Sequence, residues 1–193
     1  MTQLTLPHCE RNKHPILEQL LVHFKSSQHV LEIGSGNGQH AVFFAEHLPH
    51  LTWYTSEMPE NHAGIHNWLH HTSLPNIVPP LEFTIGEDPW PKLTIDAVFT
   101  ANTTHIMQPE EAKQMMKLIS FNLPENGIFC QYGPMKVDGK FTSSSNQEFD
   151  RQLKQNGFGG IQDINDLASW ADNLTLIEKV PMPANNFLLV WKA

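Results

Sequence analysis

Three glycines at alternate positions, Gly34, Gly36 and Gly38, follow directly on the run V-L-E-I, Val30 to Ile33. Glycine reaches dihedrals closed to other residues and lets a ligand approach the backbone closely. A helix resuming after such a turn aims its first free N–H groups at whatever lies above it. The chemistry implied is a backbone grip on a nucleotide-like ligand, with Ser35 inside the loop. The spacing is G-x-G-x-G, and Gln39 stands where the third glycine of a dinucleotide fingerprint would fall. No G-x-x-x-x-G-K-[ST] occurs, which excludes a P-loop. A turn this rich in glycine could be purely steric, but the loop does not stand alone. Glu57 closes the second strand-like run, and a carboxylate there can accept from both hydroxyls of a ribose. Beyond the third run lie Glu87 and Asp88, either of which could face an adenine amino group; Asp88 is preferred. Glu32 sits in an otherwise apolar strand, where burial is costly without hydrogen bonds. It is expected to brace the glycine loop or to meet the charged end of the ligand.

The elements that must position these residues alternate. Strands are expected at His29–Ile33, Leu51–Thr55, Leu81–Ile85, Ile95–Ala101 and Ile128–Tyr132. Helices are expected at Pro15–Phe24, Gln39–Leu48, Pro59–His71, Pro109–Ile119, Asn146–Gln155 and Ile164–Ala171; three of these open with a proline. Two strands close the chain, Leu174–Val180 and Asn186–Lys192, and their connection is too short for a crossover helix, so they must run antiparallel. The pattern predicts an α/β fold: a doubly wound, mostly parallel seven-stranded sheet with one antiparallel strand. The 193 residues read as a single domain, 1–193.

Composition narrows the function classes. Hydrophobic residues make up 40% and charged residues 17%, a globular balance. Twenty acidic against twelve basic residues give −8, with no Lys/Arg cluster, so nucleic acid is not an expected partner. No apolar run is long enough for a membrane span, and no signal pattern opens the chain. Cys9 and Cys130 make no disulfide framework, which points to the cytoplasm. His8, Cys9 and His14 match no closed zinc spacing, so no metal is expected.

V-L-E-I-G-S-G-N-G, the acid Glu57 and I-D-A-V-F-T-A-N on the fourth strand resemble the S-adenosylmethionine-binding half of the class I methyltransferases. More narrowly, E-R-N-K at Glu10–Lys13, N-T-T-H-I at Asn102–Ile106, Y-G-P-M-K at Tyr132–Lys136 and M-P-A-N-N at Met182–Asn186 are similar to an uncharacterised methyltransferase-like family. The second strand ends T-S-E-M, where members more often show aspartate. The resemblance implies a Rossmann-like class I methyltransferase fold and S-adenosylmethionine as cofactor. Arg11 and Asn12 lie just before the expected first helix; the resemblance implies that this segment folds over the donor, with Arg11 meeting its carboxylate, while the residues alone equally allow a surface arginine near the terminus.

Strand ends then set the reacting surface. The fourth strand delivers Ala101, Asn102 and, beyond them, His105; the fifth delivers Tyr132. His105 is the best candidate for a general base, or else a histidine that packs at a helix start. Tyr132 could orient an acceptor or be half-buried in its strand. Asn185 and Asn186 could bind an acceptor's polar group or only form the turn. Lys136–Asn146 reads as a long polar loop that could cover the acceptor. The leading expectation is methyl transfer to a small molecule, with a homodimer compatible; the alternative is a catalytically silent S-adenosylmethionine-binding protein or partner subunit. An NAD-dependent oxidoreductase is disfavoured by the glycine spacing.

Overall fold

The structure is a computed structural model and describes residues 5–193. Its seven-stranded sheet has the order β3-β2-β1-β4-β5-β9-β8, from β1 (His29–Ile33), β2 (Thr52–Glu57), β3 (Ile77–Glu82), β4 (Ala97–Ala101), β5 (Ile128–Gly133), β8 (Thr175–Met182) and β9 (Asn186–Lys192). Only β9 runs against its neighbours, pairing antiparallel with both β5 and β8. The doubly wound sheet with one reversed strand is therefore the observed fold class. Six helices accompany it among the described residues: α1 (Pro7–His23), α2 (Gln39–His47), α3 (His62–His70), α4 (Pro109–Asn122), α5 (Ser144–Gln155) and α6 (Ile164–Ser169). Two compact units divide the chain, one ending at Phe99 and the other running Thr100–Ala193.

In the first unit β1 lies between β2 and β4, with Glu32 opposite Thr55 on one side and Phe99 on the other. Register at the amino end is fixed by Asp96, whose carboxylate accepts from the backbone N–H of Gln28 and His29 at 2.8 to 3.1 Å. Below the carboxyl end, Phe44, Trp53 and Phe99 form a fully buried aromatic cluster with ring centroids 5.4 to 5.8 Å apart.

Two expectations for this unit need correction. The first helix begins at Pro7, eight residues before Pro15, so Arg11 and Asn12 lie inside α1 and not ahead of it. Both prolines are credible starts, but Pro7 takes the N1 position, and Pro15 is tolerated in the interior at the loss of one helical hydrogen bond. The third strand is Ile77–Glu82 and not Leu81–Ile85. Pro79 and Pro80 argue against a strand only where both edges are paired; β3 is an edge strand, where proline is allowed.

In the second unit α4 is opened by Pro109 and by Glu111, whose carboxylate accepts from the Gln108 N–H at 2.7 Å. The stretch expected as a polar loop after β5 holds a small hairpin, β6 (Lys136–Val137) and β7 (Lys140–Phe141). Its turn is Asp138–Gly139, both at positive φ, the Asp-Gly pairing that favours such turns. Asp163, the N-cap of α6, accepts from Gly139 N at 2.6 Å and from Asn165 N at 2.8 Å, so this hairpin is pinned.

The turn between β8 and β9 carries two left-handed residues, Ala184 (φ 58°) and Asn185 (φ 57°). Asparagine tolerates that conformation; alanine is strained there by roughly 1–2 kcal/mol. Ala184→Gly is expected to stabilise the protein by about 0.5–1 kcal/mol, after the greater unfolded-state freedom of glycine is subtracted. A chemical denaturation midpoint that stays put or falls would show that the strain is absent.

Candidate functional site

The loop after β1 is built from left-handed glycines: φ is 74° at Gly34, 57° at Gly36 and 88° at Gly38. They are not equivalent. A Cβ on Gly36 would meet nothing within 4 Å, so this backbone faces open space. A Cβ on Gly38 would lie 3.1 Å from Ile65 Cα, and one on Gly64 would lie 3.2 Å from Asn37 Cα. The third glycine of the motif therefore serves the close approach of α3, while the middle one faces open space.

Glu57 at the end of β2 turns towards this loop. Its Oε2 accepts from Gly36 N at 2.9 Å and its Oε1 from Met58 N at 2.9 Å. His62 Nε2 holds the Glu57 carbonyl at 2.9 Å, which anchors the start of α3 to the same corner.

Beneath the loop, Glu32 is 2% exposed. Its Oε2 accepts from Trp53 Nε1 at 2.9 Å and from Ser35 Oγ at 3.0 Å. Ser35 Oγ in turn accepts from Ser56 N at 3.1 Å, and the Ser56 hydroxyl donates to the Glu32 carbonyl at 2.6 Å. The buried carboxylate thus ties the aromatic cluster, the loop and β2 together. Burial pushes the Glu32 carboxyl up to about 7, with the nearby Glu57 charge adding to the rise; the bonds from Trp53 and Ser35 oppose it.

Asp88 closes a turn of its own, accepting from Thr84 N at 2.7 Å, and Glu87 is exposed. Because β3 ends at Glu82, both acids stand several residues beyond the strand, not at its tip. Arg11 is exposed on α1, whereas Asn12 is buried, with Oδ1 2.7 Å from His40 Nε2. Burial pushes the His40 imidazole down to about 4, which keeps it neutral at physiological pH.

In the second unit Ala101 ends β4 and Asn102 follows it, in the left-handed conformation (φ 59°) with its N–H donating to the Tyr132 carbonyl at 2.9 Å. Tyr132 is 2% exposed, more enclosed than the half-buried tyrosine the sequence allowed; His105 is 5% exposed, and its ring packs edge-on to Phe149 at 5.4 Å. A buried polar chain fixes the segment between them: Trp191 Nε1 donates to Gln131 Oε1 at 3.1 Å, and Gln131 Nε2 donates to Thr104 Oγ1 at 2.9 Å. Sequence reading missed Thr104 and Gln131; a glutamine inside an otherwise apolar strand was the available signal.

The turn of Asn185 and Asn186 lies at the carboxyl end of β5, since Gly133 pairs with Phe187. Asn185 O accepts from Asn146 Nδ2 at 2.9 Å, which docks the turn on the start of α5. Asn186 Nδ2 donates to the carbonyls of Pro183 and Ala184 at 3.0 and 3.3 Å, inside the turn itself. Among the described residues no three His, Cys, Asp or Glu side chains are gathered for a metal ion, and no helix is long and apolar enough to cross a membrane.

A family described as "Protein of unknown function (DUF938)" matches residues 3–193. Among solved structures, an O-methyltransferase family 2 protein from Planctomyces limnophilus DSM 3776, in complex with apigenin, superposes with a TM-score of 0.77 at 13% identity. That match covers 94% of this chain and 61% of the other. Human N-acetylserotonin methyltransferase in complex with SAM gives 0.72 at 13% identity, over 93% of this chain and 54% of that one. PigF with SAH gives 0.74 at 18% identity, over 88% and 52%. At such identities the likeness establishes the fold these proteins share. This chain spans between about half and three-fifths of the length of the solved chains it matches.

Proposed function

The chain belongs to the DUF938 family, whose function is unknown, and from that premise we propose that it binds S-adenosylmethionine and transfers the methyl group to a small-molecule acceptor. The observation that carries this reading is the bond from Gly36 N to Glu57 Oε2. It joins the glycine loop and the strand-end acid into one corner with open space above Gly36. A carboxylate offers about four acceptor positions. Gly36 and Met58 use two, and two remain for the hydroxyls of a ribose. The solved relatives in fold that hold SAM or SAH support the choice of nucleoside.

When bound, this cofactor supplies an electrophilic methyl group on a sulfonium. The chain's own residues have to hold and align. In this reading Gly34, Ser35, Gly36 and Gly38 form the cradle, braced from below by Glu32, and Glu57 clasps the sugar. Asp88 borders the base, and Arg11 and Asn12 serve the amino-acid end. Alignment of donor and acceptor and exclusion of water can be worth roughly 7–11 kcal/mol, so little further chemistry is demanded of the protein. His105 takes a proton where the acceptor must lose one; Tyr132, Asn185 and Asn186 orient the acceptor.

The burial of His105 and Tyr132 favours one other reading, a binder of the same nucleoside without turnover. Incubation with S-adenosylmethionine labelled in its methyl group and a broad set of metabolite extracts separates the two. Transfer of label that His105→Ala reduces supports the enzyme. Tight binding with no transfer to any fraction supports the silent binder.

A further inference from the structure

We propose that Gln39 and His40 are positioning residues that hold the first two turns of α1 on the glycine loop, making residues 6–12 part of the donor site. This rests on the reading of that site as the place of S-adenosylmethionine. Gln39 is 2% exposed and uses both ends of its amide. Oε1 accepts from Leu6 N at 2.7 Å, and Nε2 donates to Glu10 Oε1 at 2.6 Å. Leu6 is the N-cap of α1 and has no side chain able to satisfy the free N–H groups there. A residue of α2 therefore completes the start of α1. The Gln39 N–H itself donates to Asn37 Oδ1 at 3.1 Å, so the same residue is fixed to the glycine loop. One position on, His40 Nε2 meets Asn12 Oδ1 at 2.7 Å with both side chains buried.

Stability alone is a poor reason for this arrangement. α1 is anchored through its second half by Ile16, Leu17 and Leu20, all buried. A buried, fully bonded amide adds only about 1 kcal/mol net per hydrogen bond, but it specifies register sharply because leaving either end unpaired is costly. What the clamp registers is a charged stretch: Glu10 and Asn12 are each tied to α2, and the exposed Arg11 lies between them. Its guanidinium suits the carboxylate at the amino-acid end of the donor. The clamp thus sets the distance between that cation and the loop that holds the sugar.

The polarity of the Gln39–Glu10 pair can be inverted without changing its shape. Gln39→Glu keeps an acceptor for Leu6 N but sets a carboxylate against Glu10. Adding Glu10→Gln restores a donor opposite the newly introduced carboxylate. Calorimetric titration with S-adenosylmethionine is expected to show a Kd about tenfold weaker for Gln39→Glu, and a value within about twofold of the parent for the double variant. A Gln39→Glu protein that binds as the parent does, or a double variant no better than the single, overturns the proposal. Should the parent bind no S-adenosylmethionine at all, the donor reading fails, and amide exchange over residues 6–12 still decides the clamp. Faster exchange in Gln39→Glu that the double variant reverses upholds it; unchanged exchange rejects it.

Discussion

Glu57→Ala weakens S-adenosylmethionine binding by at least about 100-fold while the protein stays folded. The size follows from the contacts at stake. Hydrogen bonds to a charged group are worth about 1.5–3 kcal/mol each, and a ribose diol makes two of them to one carboxylate. Losing both costs about 3 kcal/mol or more, which is two decades in Kd. The variant also frees Gly36 N from its partner and loosens the loop, which adds to the loss. Calorimetry against the parent measures the effect, and circular dichroism reports the fold. An unchanged Kd would mean that the acid serves the loop alone.

Glu32→Gln is expected to change how stability depends on pH. The carboxyl ordinarily titrates near 4.5 and in the folded chain is pushed up to about 7. A raised carboxyl binds its proton more tightly folded than unfolded, so its contribution is fully present below about 4.5 and is lost as pH rises through 7. A displacement of that size corresponds to about 3 kcal/mol. Glutamine is never ionised and keeps an oxygen for Trp53 and Ser35. The Tm difference between variant and parent should therefore grow in the variant's favour from pH 5 to pH 8, by roughly 10 °C. Other groups titrate in both proteins and cancel in that difference. A gap that stays constant with pH would show that Glu32 is ionised throughout, held so by the bonds from Trp53 and Ser35.

The parts of this site that were legible in the sequence are those coded locally or by strand period. Gly34–Gly38 followed five strand residues and preceded a helix, and Glu57 fell at the end of the next strand; topology alone then brought the two together. The division of labour among the glycines was not legible, because the crowding at Gly38 comes from Ile65, far along the chain on α3. Nor was the Gln39–Glu10 clamp, which joins residues 29 apart through side chains whose types occur anywhere on helix surfaces. Pro15 misled because a proline is a strong local signal for a helix start, whereas the turns ahead of it are held by long-range contacts: Cys9 and Asn12 are buried, and Leu6, Glu10 and Asn12 bond to Gln39 and His40. The start of β3 was not legible across Pro79 and Pro80, because whether a strand is central or at an edge, where proline is allowed, is a property of the sheet. The Asp138–Gly139 hairpin, by contrast, was written in plain local code and read as loop only because its strands are two residues long.

The proposed function requires a sulfonium nucleoside across the tip of β1 with its sugar on Glu57. A crystal structure of the protein with S-adenosylhomocysteine tests it most directly. Both ribose hydroxyls are expected about 2.7 Å from the Glu57 carboxylate, the usual span of an O–H···O bond, with the ligand's backbone over Gly36. A nucleoside bound elsewhere, or Glu57 turned away from a ribose that occupies the loop, would contradict it.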